Sequence, residues 1–155
     1  MNKLTIFTLS IASALFTVNA YAEDVSKKND DAMAALISKA PEDAKAYFID
    51  PVDGAEVEKN FTVRFGLSGM GVSPAGLEKD KTGHHHLLIN LEEMPDLSKP
   101  LPANDNLKHF GGGQTEVELT LEPGTHTLQL LLGNHLHIPH DKPVMSEKIT
   151  ITVKE

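Results

Sequence analysis

Phe61-Thr62-Val63-Arg64-Phe65-Gly66-Leu67 decides the fold class. Phe61, Val63, Phe65 and Leu67 fall on one side and Thr62, Arg64 and Gly66 on the other, the period of two expected of a half-buried strand. Outward from it the pattern repeats. Ala46 to Ile49 precedes it across the turn signal Pro51-Val52-Asp53-Gly54. After it come His85 to Leu91, Thr115 to Leu121, Thr125 to Leu132 and Glu147 to Val153, with Glu122-Pro123-Gly124 turning the chain before Thr125. A weaker strand is expected around Leu97 to Leu101. Short strands between turns, with no heptad or internal repeat, predict an all-β chain: an antiparallel β-sandwich of about seven strands, immunoglobulin-like or cupredoxin-like.

Ahead of the strands the chain reads as an export leader. Lys3 precedes an apolar run from Leu4 to about Val18, and Ala20-Tyr21-Ala22 has the small-x-small form of a cleavage site. Residues 1–22 are therefore expected to be a signal peptide, 23–43 a polar linker with a short helix over Asp31 to Ile37 stopped by Pro41, and 44–155 the sandwich. The apolar run is shorter than the roughly 20 residues a bilayer needs and no second one follows. The expectation is a periplasmic, exported protein with no membrane insertion after signal cleavage.

The 155 residues include no cysteine and no tryptophan, and the formal net charge is −8. Loss of the leader would remove one lysine and no acid, so the balance argues against nucleic acid or anionic lipid as a partner. An aromatic content of 5% argues against a stacking platform for sugars or bases. No nucleophile elbow is present, and Arg64, the one arginine, is expected in a surface ion pair. The glycine run Gly111-Gly112-Gly113 lacks the strand-to-helix context of a phosphate loop.

Histidine is in excess, with eight in the chain. Seven lie in three segments: His84-His85-His86, His109, and His135-Leu136-His137-Ile138-Pro139-His140; His126 stands alone. In an immunoglobulin-like sandwich the B–C, D–E and F–G connections, here about Ser68 to Gly83, Asn104 to Gln114 and Gly133 to Met145, share one pole. That gathers the three segments and sends His126 to the opposite end as a structural histidine. Strand parity with Leu87, Ile89 and Leu91 turns His85 inward and His84 and His86 outward. If the strand from Thr125 stays extended, His135 and His137 also point outward. Two His-x-His pairs on neighbouring strands would then share one sheet surface.

Imidazole nitrogens meeting about 2.0–2.1 Å from one ion make such a surface a candidate metal site. His84, His86, His135 and His137 are the expected ligands, with His140 as a further ligand or as a hydrogen-bond partner to one, and His109 and Asp141 as weaker candidates of the same kind. A thiolate-free imidazole site suits copper, with zinc or nickel as the other candidates. Met70 and Met145 lie in the same loops, though methionine there is more often packing.

Phe61 to Met70, Thr82 to Ile89, His109 to Glu116 and Gly124 through His140 together resemble the bacterial exported family catalogued as domain of unknown function 4399, over about Ala46 to Val153. That resemblance implies no particular activity. Three readings follow from the residues. The first is a periplasmic copper-binding buffer or carrier whose partners are the metal ion and another periplasmic metal-handling protein. The second is a small copper-dependent redox enzyme, like the Cu/Zn superoxide dismutases in joining a sandwich to a His-x-His pair. The third is a non-catalytic interaction module whose histidines are structural or respond to pH between about 7 and 5.

Overall fold

The structure is a computed structural model that describes residues 25–29 and 31–155. The expected signal peptide, 1–22, lies outside the described residues. The chain forms two compact units, Met1–Ala34 and Ala35–Glu155. In the first, residues 25–29 and 31–34 are helical.

The second unit contains nine strands: β1 (Lys45–Asp50), β2 (Glu56–Val57), β3 (Asn60–Ser68), β4 (Gly71–Val72), β5 (Thr82–Ile89), β6 (Leu107–His109), β7 (Glu116–Thr120), β8 (Gly124–Gly133) and β9 (Ile149–Val153). They form two sheets, one in the order β1-β3-β7 and one in the order β2-β9-β8-β5-β4, with β6 also paired to β5. Strands β1-β3-β7 correspond to A-B-E of an immunoglobulin-like sandwich and β9-β8-β5 to G-F-C, so the expected architecture is present. Two details differ from an all-antiparallel arrangement: the two-residue edges β2 and β4 pair in parallel with β9 and β5.

Both inner faces follow the alternation of the sequence. Val63 and Phe65 of β3, Leu119 of β7, Leu87 and Ile89 of β5, and Leu128, Leu130 and Leu132 of β8 are buried in one core between the sheets. On the opposite face of β3, Arg64 pairs with Glu116 across the strands, at 3.1 Å. Each fully buried Leu or Phe contributes about 1.5–3 kcal/mol of apolar burial.

The larger sheet is also covered on its outer face. Leu88 of β5, Leu107 of β6 and Leu131 of β8 form a second core with Leu101, against which Leu91, Leu97 and Met145 pack. Segment 97–101, expected as a weak strand, is instead irregular chain that anchors Leu97 and Leu101 there. Leu91, expected on the inner face, joins this outer core because Asn90 takes a left-handed backbone (φ 52°) and breaks the alternation. With both faces covered, β5 is buried from Gly83 to Ile89.

Candidate metal centre

The outer face of β5 carries His84 and His86 ahead of Leu88. β5 begins at Thr82, so both histidines lie inside the strand and their spacing is fixed by the pleat. β8 runs antiparallel beside β5, with Gly133 opposite His84 and Leu131 opposite His86. On the other side β6 places His109 directly opposite His86 and Leu107 opposite Leu88. Cross-strand neighbours of this kind lie about 4.5–5.5 Å apart at Cβ, so His109 belongs to the same patch.

The fourth imidazole arrives by a turn. β8 ends at Gly133, and a tight loop returns the chain so that Pro139 bridges back to Gly133. Asn134 organises the loop: its Oδ1 accepts from the backbone N–H of Leu136 at 2.9 Å and of Ile138 at 3.1 Å. Its carbonyl accepts from His137 N–H at 2.8 Å, and its own N–H donates to Ile138 O at 2.9 Å. His137 takes a left-handed conformation (φ 67°), a cost of about 1–3 kcal/mol for a residue other than glycine. The loop swings the His137 ring to 5.0 Å from that of His84 and 4.6 Å from that of His109.

Room for the rings comes from two glycines. A Cβ on Gly133 would lie 2.8 Å from His86 Cε1 and 3.2 Å from the His137 backbone. A Cβ on Gly111 would collide with the His109 imidazole, which folds back over that residue.

One ligand atom each from His84, His109 and His137 lies within 4.8 Å of the other two. A shared ion at 2.0–2.1 Å would draw such atoms to about 3.3 Å, a closure within the reach of side-chain rotation. His84 and His86 are fully buried, so the expected solvent-facing sheet surface is corrected: β6, the returning loop and the second core cover it. His109 and His137 are half-buried.

Burial favours the neutral form of His84, His86 and His109. Desolvation, followed by the neighbouring rings of His109, His137, His85 and His140, lowers His84 to about 4. Desolvation together with His84, His109 and His137 lowers His86 to about 3, against a small opposing contribution from the Leu131 backbone. His109 is shifted the same way, by burial first and His137 second. Neutral imidazole is the form that binds a metal.

Among the described residues, every buried side-chain nitrogen or oxygen without a hydrogen-bond partner belongs to a histidine of this end of the molecule: both nitrogens of His84, His85, His86 and His140, and Nε2 of His109. An unsatisfied buried polar group costs about 1–3 kcal/mol, and those of His84, His86 and His109, side by side on the outer face, call for a ligand that uses their lone pairs.

The remaining expected positions lie elsewhere. His135 does not share a face with His137, because the turn at Asn134 replaces the extended chain on which that expectation depended; it lines a groove with Leu36, Ser38 and Lys81. His140 is buried, lowered by desolvation, with the backbones of Thr82 and Leu132 and the Asp141 carboxylate opposing the shift but no hydrogen bond of good geometry. Asp141 accepts from the backbone N–H groups of Ala40 and Lys142. His85 points inward, edge-on to Phe65 at 4.8 Å. His126, at the other end of β8, bonds Asn90 through Nδ1 and the Glu122 carbonyl through Nε2, both at 2.8 Å. Met70 packs against the main core and Met145 against the second.

A model of the family described as "Domain of unknown function (DUF4399)" matches residues 63–154, more than half of the chain. The chain belongs to that family. The match runs from β3 to just past β9 and takes in all four clustered histidines. No curated protein matches the chain. Among solved structures it is similar to part of the X-ray structure of the endo-beta-1,4-mannanase from Thermotoga petrophila, at 18% identity and a TM-score of 0.45, over 74% of this chain and 20% of that one. The chain thus spans about a fifth of that protein's length. No helix among the described residues is long and apolar enough to cross a membrane.

Proposed function

We propose that the sandwich is a transition-metal-binding module that holds one ion through His84, His109 and His137 and acts as a metal buffer or carrier in the periplasm. Copper is the first ion to test, with zinc or nickel as the other candidates and a second periplasmic metal-handling protein as partner. The observation that carries this reading is the convergence of three imidazoles, one fully buried, whose donor atoms lie within 4.8 Å of one another. The unpartnered nitrogens of His84 and Nε2 of His109, both rings shifted toward the neutral form by burial, supply the donor chemistry. His137, half-buried, offers an edge from which an ion could exchange. The pH-responsive reading is less well supported, because groups lowered to about 4 and about 3 stay neutral between about pH 7 and 5.

Imidazole nitrogen NMR during titration of the untagged, metal-free chain with Zn(II) tests the ligand set. Resonances of His84, His109 and His137 should shift together and saturate at one ion per chain, while those of His126 and His135 stay in place. Saturation that instead moves His135 or His126 would refute this site.

A further inference from the structure

The four clustered rings are arranged more fully than a three-histidine site requires. His86 stands 4.9 Å from His84 and 5.1 Å from His109, ring centre to ring centre, and 6.2 Å from His137. The other three separations are 5.0, 5.0 and 4.6 Å. Four imidazoles bound to one ion at 2.0–2.1 Å in a tetrahedron would have all six ring centres about 5.2 Å apart. A square plane would instead give four separations of about 4.5 Å and two of about 6.4 Å. Five observed separations cluster at 4.6–5.1 Å and one is long, so in ring-centre spacing the set is nearer the tetrahedron. The donor atoms that already converge are those of His84, His109 and His137, and the His86 ring must turn to join them.

His86 has a further mark of a ligand. It is fully buried and neither ring nitrogen makes a hydrogen bond of good geometry, the Leu131 backbone lying near without reaching one, although the backbone around it is paired on both sides, to β8 and β6. The glycine at 133 leaves its Cε1 edge open toward His137.

Resting on the metal-binding reading above, we infer that His86 is a fourth ligand and that the centre is a closed, four-imidazole tetrahedron suited to a d10 ion, Zn(II) or Cu(I), rather than to tetragonal Cu(II) or Ni(II). A filled d shell imposes no geometric preference of its own, so Zn(II) accepts the tetrahedron the strands dictate, whereas Cu(II) and Ni(II) favour planar or tetragonal sets. A closed shell leaves no position for substrate, which matches storage or transfer rather than catalysis. Within the family of readings this selects cuprous over cupric copper.

X-ray absorption on the untagged chain loaded with Zn(II), and separately with Cu(I), counts the imidazoles. The expected result is four nitrogens per Zn(II), and in His86→Leu three plus a water, with at least about tenfold weaker binding. Affinity competition between the two loaded forms tells which d10 ion the centre prefers. Leucine at 86 replaces two orphaned nitrogens with apolar surface beside Leu88, so the metal-free variant should unfold at a temperature no lower than the parent; His86→Gln serves if it does not. Three imidazoles and a water in the parent, unchanged in both variants, would overturn the inference while leaving the three-histidine site standing. So would a tetragonal Cu(II) spectrum lost on His84→Ala. A parent chain that binds no ion would instead remove the metal-binding reading itself.

Discussion

Gly133 is the residue on which the cluster most depends without contributing a donor. Its missing side chain is the space between the His86 ring and the His137 backbone. Gly133→Ala should therefore push the His86 ring and the loop that carries His137 apart and weaken metal binding by about 10–100-fold, with an overpacking cost of about 1–3 kcal/mol read in denaturant melts. Unchanged affinity in a folded variant would mean that the rings do not meet there. The imidazoles themselves set a pH dependence. His84 and His86 are lowered in the folded state to about 4 and about 3, from an ordinary value of 6.5. The unfolded chain then takes up protons first as pH falls, so stability is complete above about pH 6.5 and is lost progressively down to about pH 4 and below. Metal-free protein should show this loss in melts across that range, and the His84→Leu, His86→Leu double variant should show a flatter profile. Equal slopes in both would place the titrating groups elsewhere.

At the scale of the element, the loop from Gly133 to Pro139 decides which histidine serves. The Asn134 side chain caps the turn and also donates to Leu36 O at 2.8 Å, tying the loop to the preceding segment. Asn134→Ala should lower stability by about 1–3 kcal/mol and weaken metal binding, whereas His135→Ala should leave affinity within about twofold. Isothermal titration of the two variants separates an organised turn from an extended strand, in which His135 would matter as much as His137. Much of this was legible in the sequence. The alternation of β3, the paired core sets of β5 and β8, and the outward parity of His84 and His86 follow from side-chain period alone. The part played by His109 was harder to read, because β6 has only three residues, too few to show a period. Its signal is complementarity: Leu107-x-His109 runs antiparallel to His86-x-Leu88, matching leucine to leucine and histidine to histidine. The His135 expectation failed where a side-chain-capped turn, set by Asn134, replaced the continuing strand.

For the whole molecule, the outer face of the larger sheet is a second interior, with a leucine end and a histidine end. The leucine end is satisfied by packing. The histidine end is left with unpaired nitrogens, a deficit that ion binding would convert into folding stability. Saturation at a hundredfold excess over the dissociation constant should add about 2.7 kcal/mol to unfolding. The most direct measurement is the stoichiometry and affinity of Zn(II) and Cu(I) for the untagged chain, compared with a His84→Ala, His109→Ala, His137→Ala triple variant. The expected result is one ion per chain with sub-micromolar affinity in the parent and loss of that site in a variant that still folds. Binding no tighter than micromolar in the parent, or equal in the two proteins, would contradict the metal centre.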